Sequence, residues 1–447
     1  MSEHRRSSRG RKRSVDAPRR IAFDALRRIN SQGAYANLVT TSATARMIPR
    51  DAGFVIELVH GTCRMQGTWD AIIEAAAGRG LGSMQPAVVD VLRLGAQQLF
   101  ATQVATHAAV ATSVDLAGTA IGERVTGLVN AVVRKMSTRD LDSWLAELAP
   151  GDDHTSLGLR YAHPTWVVDE LARALGADGD LVALLSADNL APVPMLVARP
   201  GLATVDELVA AGAEPATWSP WGAARPGNPR EVPAIGEGRA GVQDEGSQLA
   251  ILAATSADLP DGPWLDLCAG PGGKSALLRG LSPTFLLASE AQHQRAGLVT
   301  QNLANYPPGA HQVITCDGTA PAWGPRFALT VADVPCSGLG ALRRRPESRW
   351  RRTPGTVAGL VPLQHALLRT AINSTLPGGV IAYIACSPHL DETIGVVEQA
   401  EQVEIIDAPA LIAQVPGAAH HLDGRFIQLW PHLHGSDAMF CALLRRR

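Results

Sequence analysis

Two cysteines stand where their surroundings permit chemistry. Cys336 lies in Asp333-Val-Pro-Cys336-Ser-Gly, directly after the apolar run Ala328–Ala332, and Cys386 lies in Cys386-Ser-Pro, directly after the run Val380–Ala385. A thiol that follows an apolar strand sits at the edge of the sheet where open α/β folds bind their ligands. As a thiolate it is a nucleophile. Such a group suits a pyrimidine, whose carbon 5 attacks an electrophilic methyl group only after a thiolate adds to carbon 6 and pushes electron density onto carbon 5. Charge then develops near ring nitrogen 3, a place Asp333 suits if it is protonated or suitably hydrogen-bonded. A base must remove the carbon-5 proton before the thiol leaves, and a second thiol nearby assists that release. Cys63, Cys268, Cys316 and Cys441 read instead as inert, buried residues. Six cysteines with no CxxC pair and no Cys/His ligand spacing argue against a disulfide scaffold or a metal site.

A methyl donor needs a pocket, and the segment Trp264-Leu-Asp-Leu-Cys268-Ala-Gly-Pro-Gly-Gly-Lys274-Ser has the order strand, Gly-rich turn, helix start. Gly270, Gly272 and Gly273 let the backbone turn tightly and approach a ligand, and free amides at the helix start favour negative groups. A phosphate loop is disfavoured because the glycine it requires five residues before Gly-Lys-Ser is replaced by Cys268. The next strand, ending at Glu290, places a carboxylate where ribose hydroxyls would bind, and the strand after it leads to Asp317. NAD and S-adenosylmethionine both fit such a crevice. NAD is less favoured because the third glycine of its fingerprint is Ser275.

These residues need elements to carry them. The chain has 447 residues, 46% of them hydrophobic and 18% charged, with a formal charge of −2, which suits two or three globular domains and excludes a wholly basic nucleic-acid protein. Only three of the 40 basic residues are lysines (Lys12, Lys135, Lys274), so a lysine inside the Gly-rich turn invites a reason. Residues 1–20 hold eight basic residues against Glu3 and Asp16, as expected of a disordered basic arm attracted to phosphates. From Ala17 to Met136 apolar residues recur at helical spacing, as in Ile21, Ala22, Ala25, Leu26 and Ile29, and Asp140–Leu148 continues in helix. Residues 161–240 mix the helix Val167–Leu175 with short apolar stretches such as Pro194–Ala198, the texture of a small α+β connector. Beyond Val242, strands at Trp264–Leu267, Phe285–Ala288, Gln312–Thr315, Ala328–Ala332 and Val380–Ala385 alternate with helices, which predicts a doubly wound, mostly parallel sheet covered on both faces. Arg343–Arg352 has six arginines and one glutamate in ten residues and is expected to face a polyanion, with Trp350 offering a stacking surface. The N-terminus lacks the apolar stretch of a signal peptide and no run is apolar enough to span a bilayer, so the chain is expected to be cytoplasmic, without membrane partners.

Five ordered motifs resemble the RNA (cytosine-5)-methyltransferase family, in its bacterial 16S ribosomal RNA branch with a NusB-like N-terminal domain. They are Val242-Gln-Asp-Glu-Gly-Ser-Gln-Leu249, Cys268-Ala-Gly-Pro-Gly-Gly-Lys274, Asp333-Val-Pro-Cys-Ser-Gly338, Arg344-Arg-Pro346 and Ala385-Cys-Ser387. The N-terminal part matches through Gly33-Ala-Tyr-Ala-Asn37, Arg50–Arg64 and Val129–Arg134, and Tyr161–Trp166 resembles the family's entry into an RNA-recognition-like connector. The resemblance implies a multidomain chain. Residues 1–16 form a disordered basic arm, 17–146 an all-α NusB-like RNA-binding domain, 147–240 the α+β connector and 241–447 a Rossmann-like methyltransferase domain. It further implies S-adenosyl-L-methionine as cofactor, held by Cys268, Ala269, Gly270, Pro271, Gly272, Gly273, Lys274, Glu290, Asp317 and Asp333. Cys386 corresponds to the nucleophile and Cys336 to the cysteine that frees the product. DNA cytosine enzymes use the Pro-Cys cysteine as nucleophile and lack the later one, so having both implies small-subunit ribosomal RNA rather than DNA as substrate, with a monomer as the default state. Ala385 replaces a usual Thr, Glu290 a commoner Asp, and Gly270 an Ala. The alternative expectation is a non-catalytic RNA-binding factor that uses its NusB-like part.

Overall fold

Apolar residues repeating every three to four positions build the first half of the chain as helices. The computed structural model describes residues 14–447. Most of the expected basic arm lies outside them. Arg19 and Arg20, counted with that arm, instead belong to helix α1 (Ala17–Gln32), whose N-cap Asp16 accepts the Arg19 backbone N–H at 3.0 Å. α1 is followed by α2 (Ala36–Thr44), α3 (Pro49–Arg64), α4 (Gln66–Ala77), α5 (Pro86–Phe100), α6 (Thr106–Ala120), α7 (Thr126–Met136), α8 (Leu141–Leu148) and α9 (His154–Arg160). Ala22, Ala25, Leu26 and Ile29 are buried in one core with Leu58, Trp69, Val88, Leu92, Val133 and Trp144. This helical unit holds the described residues up to Val168 together with Arg345–Arg351.

That last segment corrects the expectation of a free, RNA-facing arginine loop. Arg349 is fully buried and donates to the Ala162 carbonyl at 2.8 Å. Arg351 binds the carbonyls of Ile29 and Ala34, each at 2.7 Å, and so closes the C-terminal end of α1. Trp350 offers no open stacking face: its indole N–H donates to the Cys63 carbonyl at 2.7 Å and its ring fills the notch left by Gly67. Arg343 and Arg344 bind Gly435 and Asp437. The guanidinium forks satisfy carbonyl and carboxylate acceptors within the protein, so the formal charge of the run overstates what it offers a polyanion.

In the second unit a four-stranded antiparallel sheet, ordered β2-β3-β1-β4, comes first, from β1 (Met195–Ala198), β2 (Glu214–Pro215), β3 (Gly222–Ala224) and β4 (Ala240–Val242). Helix α10 (Glu245–Ser256) then leads into the larger sheet. Its strands are β5 (Trp264–Asp266), β6 (Leu286–Glu290), β7 (His311–Thr315), β8 (Phe327–Asp333), β9 (Thr375–Ala385), β10 (Val403–Ile406), β11 (Ile427–Gln428) and β12 (Phe440–Arg446). The order is β10-β12-β9-β8-β5-β6-β7, with β11 on β12. The five expected strands are mutually parallel; β10, β11 and β12, not anticipated, add an antiparallel flank. Along β9, Val380, Ala382 and Ile384 enter the core beneath α10, whereas Ile381, Tyr383 and Ala385 enter the one beneath helix α13 (Pro354–Ser374). Both faces being covered explains why these strands read as continuous apolar runs rather than alternating ones. Helices α11 (Gly273–Leu281) and α12 (His293–Leu303) connect β5 to β6 and β6 to β7.

Because β5 has β6 on one side and β8 on the other, the chain reverses its direction of winding there, and the C-terminal ends of these strands are where an open sheet of this order takes its ligand. Among the described residues no helix is long and apolar enough to cross a membrane.

Candidate active site

Parallel pairing of β8 with β9 sets Asp333 opposite Ile384, so the two cysteine-bearing loops leave the sheet side by side. The Sγ atoms of Cys336 and Cys386 lie 3.3 Å apart, both thiols free and half-buried. The Gly340 N–H donates to the Cys386 carbonyl at 3.0 Å, and the Ala438 N–H to the Gly340 carbonyl at 2.9 Å. A side chain at position 340 would overlap the backbone carbonyls of Ala438 and Cys386, so glycine is required for the loops to close up.

The two sulfurs are not equivalent. Cys386 is held below the ordinary thiol range, chiefly by the hydrogen bond from Cys336, with the Lys274 ammonium adding to it against the opposing effects of burial and Asp333. Cys336 is pushed well up by that same hydrogen bond, by burial, and by the negative charges of Cys386, Glu392 and Asp333. Lys274 favours the ionised form of Cys386 whereas Glu392 burdens that of Cys336, so Cys386 is the more acidic sulfur of the pair. Lys274 also donates from Nζ to Asp333 Oδ2 at 2.8 Å. The lysine singled out by its rarity therefore links the Gly-rich turn to the sulfur site.

The turn itself forms a cradle. Gly272 has φ +110°, and a Cβ there would come within 2.9 Å of the Val299 Cα, so only glycine lets α12 pack this closely. A Cβ on Gly273 would meet nothing nearer than 3.8 Å, leaving the first turn of α11 open to a ligand. Glu290 ends β6 and accepts the Gly270 N–H at 2.9 Å and the Gln292 N–H at 2.9 Å. A Cβ on Gly270 would overlap the Glu290 carboxylate, so the glycine at 270 and the longer acid at 290 fit one another. Cys268 is kept a thiol, its pKa raised well above the ordinary value by burial, and Ala269 is buried with its N–H on the Ser289 carbonyl at 2.9 Å. The Pro271 carbonyl accepts from Asn302 at 2.9 Å. Asp317 lies two residues beyond Thr315, the register partner of Glu290, on the same sheet edge. Its carboxylate accepts from the Thr319 N–H and hydroxyl, which hold its pKa low.

Several residues here carried no role in the sequence reading. Asp266 ends β5, is fully buried and has its pKa raised to about 7 by burial; Oδ2 accepts from Ser275 at 2.6 Å while Oδ1 has no partner. A carboxylate closing a strand was the signal already applied to Glu290, and it would have found Asp266. Asp437, fully buried, accepts both nitrogen arms of Arg344 and donates its N–H to Asp244, whose pKa is raised to about 6 by burial and by Asp437. Glu392 is also fully buried and bonded to the serines that follow both cysteines. No local pattern announces Asp437 or Glu392.

Residues 251–445 match the family model for 16S rRNA methyltransferase RsmB/F, and residues 16–138 that for the NusB family. A Mycobacterium tuberculosis protein described as a methyltransferase, with no substrate named, is 45% identical, covering 98% of this chain and 99% of its own. Ribosomal RNA small subunit methyltransferase B of Pseudomonas syringae is 30% identical over 96% of both chains. Among solved structures, PH0851 superimposes with a TM-score of 0.79 at 19% identity, covering 97% of this chain and all of that one, and a Pyrococcus horikoshii methyltransferase homologue with 0.54 at 18%, covering 66% and 100%. At those identities the structural likeness shows the fold.

Proposed function

Because this chain belongs to the 16S rRNA methyltransferase RsmB/F family, we propose that it transfers a methyl group from S-adenosylmethionine to carbon 5 of a cytidine in 16S rRNA through a covalent adduct on Cys386. The observation that carries this reading is the pair of sulfurs 3.3 Å apart, one favoured as thiolate, beside the Lys274–Asp333 ion pair at the crevice. In this reading residues 17–146 and 147–240 bind and present the RNA to residues 241–447.

The cradle suits the cofactor. Glu290 is placed for the ribose hydroxyls, the open first turn of α11 for polar groups, and the unpartnered Oδ1 of Asp266 for the amino group of the methionine moiety. Cys268–Lys274, Asp317 and Asp333 complete the set. When bound, S-adenosylmethionine supplies an electrophilic methyl on a sulfonium.

Cys386 as thiolate adds to carbon 6 of the base, and the electron pair released raises the nucleophilicity of carbon 5. The negative charge that develops toward nitrogen 3 calls for a proton there, which Asp333 supplies once it has taken one from the Lys274 ammonium bonded to it at 2.8 Å. Carbon 5 takes the methyl and must then lose its proton. By that stage Cys386 is bonded to carbon, so its negative charge no longer weighs on Cys336, which can give up its own proton to solvent and, as thiolate, take the proton from carbon 5. The carbon–sulfur bond then breaks and Cys386 leaves as thiolate.

Replacing Cys386 with Ala should abolish methylation of 16S rRNA in a tritiated-methyl assay; near-normal turnover would reject the assignment. Cys336→Ala should leave a protein–RNA band on a denaturing gel. Calorimetric binding of S-adenosylmethionine separates this reading from a non-catalytic RNA-binding factor, which has no need of a methyl donor.

A further inference from the structure

Each cysteine is followed by a serine, and both serines turn inward onto one side chain. Glu392, on the turn after β9, is 0% exposed. Its Oε1 accepts the Ser337 N–H at 2.7 Å and the Gln364 amide at 3.1 Å. Its Oε2 accepts the Ser387 hydroxyl at 2.8 Å and the Ser337 hydroxyl. Four donors thus fill the four acceptor positions of one carboxylate. The two serine hydroxyls come within 3.2 Å of each other, and the Tyr383 hydroxyl holds the Glu392 carbonyl at 2.7 Å.

We propose that Glu392 is the positioning residue of the two-sulfur site: by binding the serine beside each cysteine, its carboxylate sets the spacing of Cys336 and Cys386 and keeps the two sulfurs inequivalent. The two loops depart from strands whose register fixes only their starting points. Beyond the strand ends, backbone bonds such as Gly340 N–H to Cys386 C=O tie them on one side, and the carboxylate clamp ties them on the other. Buried hydrogen bonds to a charged group are the strong kind and fix loops firmly. Glu392 also adds to the negative field that keeps Cys336 a thiol. Cys336 can therefore donate to the Cys386 thiolate instead of competing with it for deprotonation. Glu392 touches no reacting atom and acts through Ser337 and Ser387.

The inference rests on Cys386 being the nucleophile, and its test is arranged to fail separately. The full-length protein, without RNA, is alkylated with iodoacetamide from neutral to alkaline pH, and labelling of Cys336 and Cys386 is followed peptide by peptide by mass spectrometry. In the native chain Cys386 is expected to label first and at lower pH. In Glu392→Gln the preference for Cys386 should shrink by about tenfold, and formation of the protein–RNA adduct in a single-turnover assay should slow, because Cys336 then competes with Cys386 for deprotonation. Glu392→Asp, which keeps the charge but shortens the reach, should retain the order of labelling and lose turnover. If Glu392→Gln fails to fold, Ser337→Ala and Ser387→Ala each remove one arm of the clamp, and the same narrowing of preference is expected in both. An unchanged labelling ratio and pH dependence in a variant that still binds S-adenosylmethionine overturns the role of Glu392. Retained methylation by Cys386→Ala overturns the underlying reading instead.

Discussion

The fit between Gly270 and Glu290 can be put to a double-mutant test. In the structure the Gly270 N–H donates to Glu290 Oε2 at 2.9 Å, and a Cβ at 270 would lie 2.9 Å from Glu290 Cδ and 2.9 Å from Arg295 Nε, nearer still to Oε2. Gly270→Ala must therefore expel the carboxylate from a buried position and break that bond. A hydrogen bond to a charged group contributes about 1.5–3 kcal/mol. At about 1.4 kcal/mol per tenfold, S-adenosylmethionine should bind about tenfold to about a hundredfold more weakly. Glu290→Asp alone withdraws the carboxylate by one methylene, about 1.5 Å, leaves the Gly270 N–H without its acceptor and should weaken binding comparably. Combined, the new methyl occupies the space the shorter acid vacates, so the double variant should recover most of the loss. Titration calorimetry with S-adenosylmethionine on the four proteins of the cycle gives the coupling directly. If the two penalties simply add, to within about 0.5 kcal/mol, the two positions are independent and the reasoning is wrong.

The ascending limb of the pH–rate profile should lie below the ordinary thiol range, because Cys386 must be a thiolate and its pKa is depressed by Cys336 and Lys274; Cys336→Ala should move that limb to higher pH, and an unmoved limb in single-turnover kinetics would count against the hydrogen bond. Lys274→Met removes the cation that favours the thiolate and orients Asp333, so single-turnover methylation should fall by about a hundredfold, within the range of a general acid–base contribution. Asp266 has a folded pKa raised to about 7 from an ordinary 3.8, so the native state holds more protons between those values and stability falls as pH rises through them; Asp266→Asn should flatten this slope in urea melts taken across that range while weakening cofactor binding. Trp350→Ala should destabilise the helical unit by about 3–5 kcal/mol, read by urea unfolding, with little change in the salt dependence of RNA binding; a large change in that dependence would restore the RNA-facing role.

Much of the fold is legible along the chain because its causes are local. Ala22, Ala25, Leu26 and Ile29 mark a helix face by spacing alone, and the runs on β5, β6, β8 and β9 mark strands because both faces of the sheet are covered there, whereas the edge strand β7 is half exposed. β12 escaped notice although it is as apolar as β9 over Phe440–Leu444, since nothing about it says that it runs antiparallel beside β9. The arginine run misled because charge counted along a sequence ignores the acceptors that folding brings, here the carbonyls at the end of α1 and a buried Asp437.

Of the site, the sequence by itself determined the parts that one strand and its following loop define: the Gly-rich turn at 268–274, the carboxylates ending strands, and two cysteines beyond strand ends. A turn that needs glycines and a strand that ends in an acid are constraints within a few residues, so they show as spacing. The 3.3 Å between Cys336 and Cys386, the ion pair that favours one thiolate over the other, the mutual fit of Gly270 and Glu290, and the clamp from Glu392 were decided only by the tertiary structure. The Gly270–Glu290 fit depends on β5 and β6 lying side by side, 20 residues apart; the rest depend on the parallel register of β8 and β9 and on loops brought together from positions 50 or more residues apart. Distance and burial, which set both reach and charge state, exist only once those strands are side by side.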